Sequence, residues 1–217
     1  MSRLKPLLLF IAILFGLALQ LGAAQARDIQ TAIFAGGCFW CVEADFDKVR
    51  GVRETTSGYT GGTLVNPTYK QVSKGGTGHY EAVRVMFDAD VISYRELVDI
   101  FWRSVDPLDA GGQFCDRGAS YRTAVFVTGA KQRKAAEASK AAADAAIPGR
   151  IVTPVLNASA FYEAEERHQN YYKGKHRVIT RFGVIRQSKA YKNYRKACGR
   201  DARVREIWGD AAIFAGM

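Results

Sequence analysis

The chain has 217 residues, 48% of them hydrophobic and 24% charged, with a formal net charge of +10. That is enough apolar material for one full core, and four cysteines are too few to be the staples of a disulfide scaffold of this size. The charge is concentrated, since residues 167–200 hold eleven Lys or Arg and no carboxylate. This reads as a solvated basic surface. Docking on an acidic partner or an anionic membrane face stays open, and with no recognised nucleic-acid module the charge does not point to DNA or RNA.

Arg3 and Lys5 open the chain, Pro6–Leu21 is almost wholly apolar, and Ala24-Gln25-Ala26 offers a small-x-small cleavage site before Arg27. This is the layout of a secretory signal peptide, residues 1–26. It places one domain, residues 27–217, outside the reducing cytosol, in the periplasm and with no stable membrane insertion. An uncleaved anchor is the alternative, although the apolar run is short for a span of about 20 residues.

Thr31–Ala35 reads as a short buried strand running into Gly36-Gly37-Cys38-Phe39-Trp40-Cys41-Val42-Glu43. Phe39, Val42, Phe46 and Val49 then follow a helical period. Cys38 is expected where strand turns into helix, beside unpaired N–H groups that favour thiolate. Phe39 and Trp40 would wall the sulfur, which suggests redox or acyl chemistry on a small apolar group.

Val52–Tyr59 is expected to be a strand ended by Thr60-Gly61-Gly62, Leu64–Gly78 a surface loop, and His79–Asp88 an alternating strand. Ser93-Tyr94-Arg95-Glu96 fits a capping box opening a helix that buries Leu97, Ile100 and Phe101. After Pro107 come a loop (Leu108–Ser120), a strand (Tyr121–Thr128), an exposed helix (Ala130–Ala146), a strand (Ile151–Leu156), a short helix (Glu163–Tyr172) and a basic tail from about residue 173. No crossover helix fits within Ser57–Tyr80, so the strands there pair antiparallel. The expected class is α+β, a two-layer sandwich of a mixed sheet against helices with a ferredoxin-like core, long irregular loops and a C-terminal tail.

Four further phrases join Gly36–Glu43: Gly58-Tyr59-Thr60-Gly61-Gly62, Asn66-Pro67-Thr68-Tyr69, Gly78-His79-Tyr80-Glu81-Ala82-Val83 and Gly111-Gly112-Gln113-Phe114-Cys115-Asp116-Arg117-Gly118. With them the chain closely resembles the methionine sulfoxide reductase A family, peptide-methionine (S)-S-oxide reductases, from about Ile33 to Tyr172 and weakly near Trp208-Gly209. The resemblance implies that Cys38 attacks the sulfoxide sulfur, releases methionine and becomes a sulfenic acid. It implies that Phe39 and Trp40 hold the substrate methyl group, that Glu81 protonates the sulfoxide oxygen, that Tyr69 and Tyr121 bind it, and that Asp116 lines the site. It further implies repair of oxidised proteins or free methionine sulfoxide, no bound cofactor and a thioredoxin-like dithiol as reductant; the protein is expected to be a monomer. The chemistry of the residues agrees, because a sulfoxide oxygen leaves only once protonated, and a carboxyl near an aromatic wall keeps its proton.

A thioredoxin-like oxidoreductase working through Cys38 and Cys41 is the rival enzyme reading, and a secreted binding module using the basic tail is a third. Cys-x-x-Cys without a second matching pair is a poor zinc signature, so no metal is expected and His79 and His168 read as hydrogen-bonding supports. The resolving thiol stays open. Cys198, between Lys196 and Arg200, is favoured; Cys41 is the alternative; Cys115 reads as an inert thiol beside the site.

Overall fold

The computed structural model describes residues 27–216, so the signal-peptide reading lies outside the described residues. Strand β1 (Ile29–Gly36) leads through Gly37 and Cys38 into helix α1 (Phe39–Phe46), and β2 (Val52–Thr60) follows. Helix α2 (Tyr69–Lys74), strand β3 (Tyr80–Asp88) and helix α3 (Tyr94–Trp102) come next. Two short strands, β4 (Gly112–Gln113) and β5 (Asp116–Arg117), precede β6 (Thr123–Val127) and helix α4 (Ala130–Asp144). Strands β7 (Val155–Asn157) and β8 (Tyr162–Glu163), a hairpin β9 (Arg177–Thr180) and β10 (Gly183–Arg186), and helices α5 (Gln187–Ala197) and α6 (Arg200–Trp208) complete the order.

The main sheet runs β7-β6-β1-β3-β2-β8, all antiparallel except the β6–β7 pair. Its four inner strands with α1 and α3 form the β-α-β-β-α-β ferredoxin-like core, as expected. Both helices pack on one face, where Phe34 stacks between Phe46 at 4.9 Å and Phe101 at 5.0 Å. The opposite face holds a smaller apolar group, Ile33, Ala35, Ala82, Ala124 and Phe126, covered by Leu156, Ala158 and Phe161. The sheet's centre is therefore covered on both faces, and β3 is buried along its length apart from half-buried Arg84 and Met86.

Several expectations are corrected. The segment Leu64–Gly78 contains α2, started by Gln71, whose side chain accepts from both the N–H and the hydroxyl of Thr68. The helix expected at Glu163–Tyr172 is instead β8 and two single 3-10 turns, Glu166–His168 and Tyr171–Lys173. In α3 the buried stripe is Tyr94, Leu97, Val98, Phe101 and Trp102, with Ile100 only half-buried. Tyr121 sits in a 3-10 turn and its strand starts at Thr123. The strand expected at Ile151–Leu156 begins only at Val155, because Pro154 has no N–H to give the ladder. The basic tail folds as a hairpin and two helices against α1 rather than forming a loose appendage.

Candidate active site

Gly37 makes the turn between β1 and α1 at φ +81°, and a Cβ there would meet Gln113 Cβ at 2.5 Å. The turn brings Cys38 to the start of α1, half-buried, with its carbonyl accepting from Cys41 N–H at 3.0 Å. The first amide of the helix does not serve the sulfur. Phe39 N–H donates to Glu81 Oε2 at 3.1 Å, across from β3. Glu81 is 1% exposed, and its Oε1 has no partner. Burial, with Asp116 adding to it, pushes the Glu81 carboxyl up to about 8, so it keeps its proton at neutral pH.

The expected resting thiolate at Cys38 is not what these surroundings favour. The neighbouring Cys41 thiol, burial, and the nearby Glu81 and Asp116 all raise the Cys38 thiol. Cys41 shifts the other way, through the neighbouring Cys38 and the positive charges of Arg200 and Arg195. Tyr69 and Tyr121 lie beside Glu81, and burial above all, with Glu81 adding to it once ionised, raises both phenols. Both hydroxyls are thus donors. Asp116 is also raised by burial.

The aromatic wall is deeper than Phe39 and Trp40 alone. Trp40 stacks on Tyr171 with centroids 3.8 Å apart and planes at 7°, and it faces His168 at 5.8 Å. Phe39 is fully buried against Tyr59 at 5.9 Å, Tyr69 at 6.2 Å and His168 at 5.5 Å. Burial lowers His168 to about 4, and its neutral ring serves both as packing and as a hydrogen-bonding support, with Nε2 accepting from Arg167 Nε–H at 3.2 Å. His79 is a support too: its Nδ1 accepts from Gly62 N–H at 3.2 Å and its Nε2 donates to Leu64 carbonyl at 2.8 Å.

Sequence reasoning left out three acids that hold this site in place. Glu165 accepts from the Tyr59 hydroxyl and the Tyr69 N–H, both at 3.0 Å. Glu43 accepts from Asn170 N–H at 2.9 Å and stays fully buried, with burial raising it to about 7. Asp45, also fully buried, takes Arg195 at 2.8 Å and Arg200 at 3.8 Å from the tail. Glu43 and Asp45 follow Cys41 in α1, where a short helix buried almost all round signals partners from elsewhere.

The four cysteines meet in one cavity of about 520 Å³, lined also by Trp40, Tyr69, Asp116, Arg195 and Arg200. Cys38 and Cys41 are free, whereas Cys115 and Cys198 form a disulfide with Cα atoms 5.1 Å apart. Cys115 is exposed at the two-residue turn joining β4 and β5, beside Phe114 at φ +54°. Cys198 caps the C-terminal end of α5, followed by Gly199 in the left-handed region. The Arg200 guanidinium lies over the Phe114 ring at 4.8 Å and donates to the carbonyls of Gly36 and Ser104, which joins the two supports.

This geometry has counterparts among known proteins. A family profile described as Peptide methionine sulfoxide reductase matches residues 30–209. Peptide methionine sulfoxide reductase MsrA 2 of Rhizobium meliloti is 49% identical over 194 residues, covering 89% of this chain and 90% of that protein. MsrA 2 of Caulobacter vibrioides is 47% identical over 205 residues, covering 94% and 98%. Among solved structures, reduced Mxr1 of Saccharomyces cerevisiae superposes with a TM-score of 0.65 at 29% identity, covering 69% of this chain and 86% of that one. Methionine sulfoxide reductase A of Corynebacterium diphtheriae gives 0.61 at 30% identity, covering 74% and 84%.

Proposed function

Since the chain belongs to the peptide methionine sulfoxide reductase family and is a peptide-methionine (S)-S-oxide reductase, we propose how its own residues carry out that reaction. The methyl group of the sulfoxide rests against Trp40 and Phe39, while its oxygen takes hydrogen bonds from Tyr69, Tyr121 and the free oxygen of Glu81. Glu81 passes its proton to the sulfoxide oxygen as the Cys38 sulfur attacks the substrate sulfur, and the thiol proton replaces the one given. Methionine leaves, and Cys38 becomes a sulfenic acid. General-acid help of this kind is worth about 10²–10⁴ in rate. The observation that carries this reading is the geometry of the Glu81 carboxyl, buried with one oxygen pinned by Phe39 N–H and the other unpartnered, in surroundings that push its pKa up to about 8.

Two thiols compete to close the cycle. Cys41, one turn on in α1 and lining the same cavity as Cys38, displaces water from the sulfenic acid and forms Cys38–Cys41. Cys198, favoured on sequence, acts next: with Cys115 reduced, the pair takes the disulfide over, returning Cys38 and Cys41 as thiols and leaving Cys115–Cys198 oxidised. The bonded state of Cys115 and Cys198, and the cavity all four share, support this order. A thioredoxin-like dithiol then reduces Cys115–Cys198, whose Cys115 is exposed. Cleavage after Ala26 and a periplasmic site of action complete the proposal, supported by the basic, apolar and small-residue order of residues 1–26.

Mass spectrometry of pre-reduced protein after one equivalent of S-methionine sulfoxide is the test. Loss of two hydrogens with a Cys38–Cys41 or Cys115–Cys198 link is expected. An unchanged mass, with no methionine formed, would overturn the reading. Sequencing of the N-terminus from a cell-envelope fraction checks the cleavage, with Arg27 expected first.

A further inference from the structure

The tail hairpin carries a surface that the reaction of a single amino acid does not need. Among the described residues, strands β9 and β10 hydrogen-bond only to each other in the main-chain ladder, so each leaves an edge without a strand partner. Their inner side chains, Val178 and Ile185, pack against the group of Cys41, Ala44, Tyr171 and Tyr191. The outer pair, Ile179 opposite Val184, faces water at 89% and 52% exposure. A cross-strand apolar pair left this open is costly to keep in a soluble protein and marks an interaction site.

Position says what the site serves. Ile179, Thr180 and Arg181 of β9 and its turn line the same cavity as Cys38 and Trp40, whereas no residue of β10 does. The edge of β9 therefore borders the cleft, and a chain lying along it runs directly past the aromatic wall. Arg181 lines that cavity, Arg177 and Arg186 flank the apolar pair on β9 and β10, and residues 167–200 contain no carboxylate, although Lys173 is paired with Asp47.

We propose that the β9 edge is a docking strand for an extended, acidic polypeptide segment, which adds to the hairpin by main-chain hydrogen bonds and presents its oxidised methionine to Cys38. Apolar side chains of the segment cover Ile179 and Val184, and its carboxylates meet these arginines. This is strand addition, in which the backbone gives affinity and alternate side chains give selectivity. The inference rests on Cys38 being the sulfoxide-reducing thiol, and it makes an unfolded protein segment a better substrate than the free amino acid.

The test uses pre-reduced protein in single turnover without any donor, so that recycling cannot enter. Substrates are free S-methionine sulfoxide, a glutamate-flanked peptide holding one such residue, its lysine-flanked counterpart, and the glutamate peptide with N-methylated backbone amides. The glutamate peptide should react with the higher efficiency, and salt should erode that advantage over lysine. In I179T/V184T the ratio of peptide to free-substrate efficiency should fall about tenfold, through weaker binding with an unchanged rate at saturation. N-methylation should lower it in the unaltered protein, which keeps the test sound if the variant folds poorly. A ratio unmoved by both changes, an effect seen only on donor-dependent recycling, or one tracking self-association would overturn the docking role while leaving the chemistry at Cys38 intact. No reduction of the free sulfoxide would sink both.

Discussion

Cys38 and Glu81 are carried by β1, α1 and β3, whose apolar side chains fill the core, whereas Cys198 reaches the same cleft on the turn between α5 and α6. The first support is held by close packing around Phe34, Phe46 and Phe101. The second packs through Val204, Trp208, Ala190 and Tyr191 and adds charge, with Arg195 and Arg200 converging on Asp45 and Arg203 pairing with Asp106 at 2.7 Å. Packing fixes atoms within tenths of an ångström, as attack on sulfur requires. Ion pairs between helices and loops hold two elements together while leaving a disulfide loop free to be opened and closed. The two sides of the cleft thus share apolar packing, and the side that carries Cys198 adds a layer of ion pairs.

Substitutions can break that contrast, and the largest effect belongs to the packed side. Cys38→Ser should leave no measurable formation of methionine from the S-sulfoxide, even in a single turnover. Glu81→Gln should slow that turnover about 10²–10⁴-fold. The pH profile of the unaltered protein sharpens this: sulfoxide reduction should fall as pH rises through about 8, where Glu81 loses its proton, and in Glu81→Gln that limb should vanish. Steady rates and single turnovers measured across pH check both statements.

On the charged side the effects divide differently. Arg195→Met leaves Asp45 buried with only Arg200 at 3.8 Å, and breaking such a pair costs about 3–5 kcal/mol, readable as a shifted denaturation midpoint. Cys198→Ser and Cys115→Ser should leave methionine formation in one turnover unchanged and depress donor-driven cycling; an undiminished steady rate in both would remove the second pair from the route. The smallest change is Ser93→Ala at the start of α3, which removes the capping contact to Glu96 N–H at 3.2 Å and should cost about 1 kcal/mol without touching either half of the chemistry.

The packed side was also the more legible in the sequence. Strand β1, the Gly-Gly turn, the start of α1 and the capping box of α3 each announce themselves by local pattern, and the element order yields the ferredoxin-like core. Glu81 was identifiable only through resemblance, because a lone acid within a strand carries no local mark of its partner. The shift of Cys38 toward the thiol was hidden for a related reason: the amide expected to serve the sulfur is taken by Glu81 from forty-two residues away. The tail was read as a basic surface since its anchoring acids, Asp45 and Asp106, lie far upstream. Nor does spacing reveal that Cys115 and Cys198, separated by 83 residues, are joined.

Arg195 also donates to the Tyr191 hydroxyl at 3.0 Å and to Asp201 at 2.9 Å, so one guanidinium ties α1, α5 and α6 together. Its field, with that of Arg200, acts on Cys41. Their positive charge favours the anionic form of Cys41, and once that sulfur is bonded Asp45 and Asp201 remain as the acidic partners of Arg195. On the proposed route, bonding of Cys41 removes one anion from the helix these cations hold, while Asp45 and Asp201 keep α1 clasped to the end of the chain.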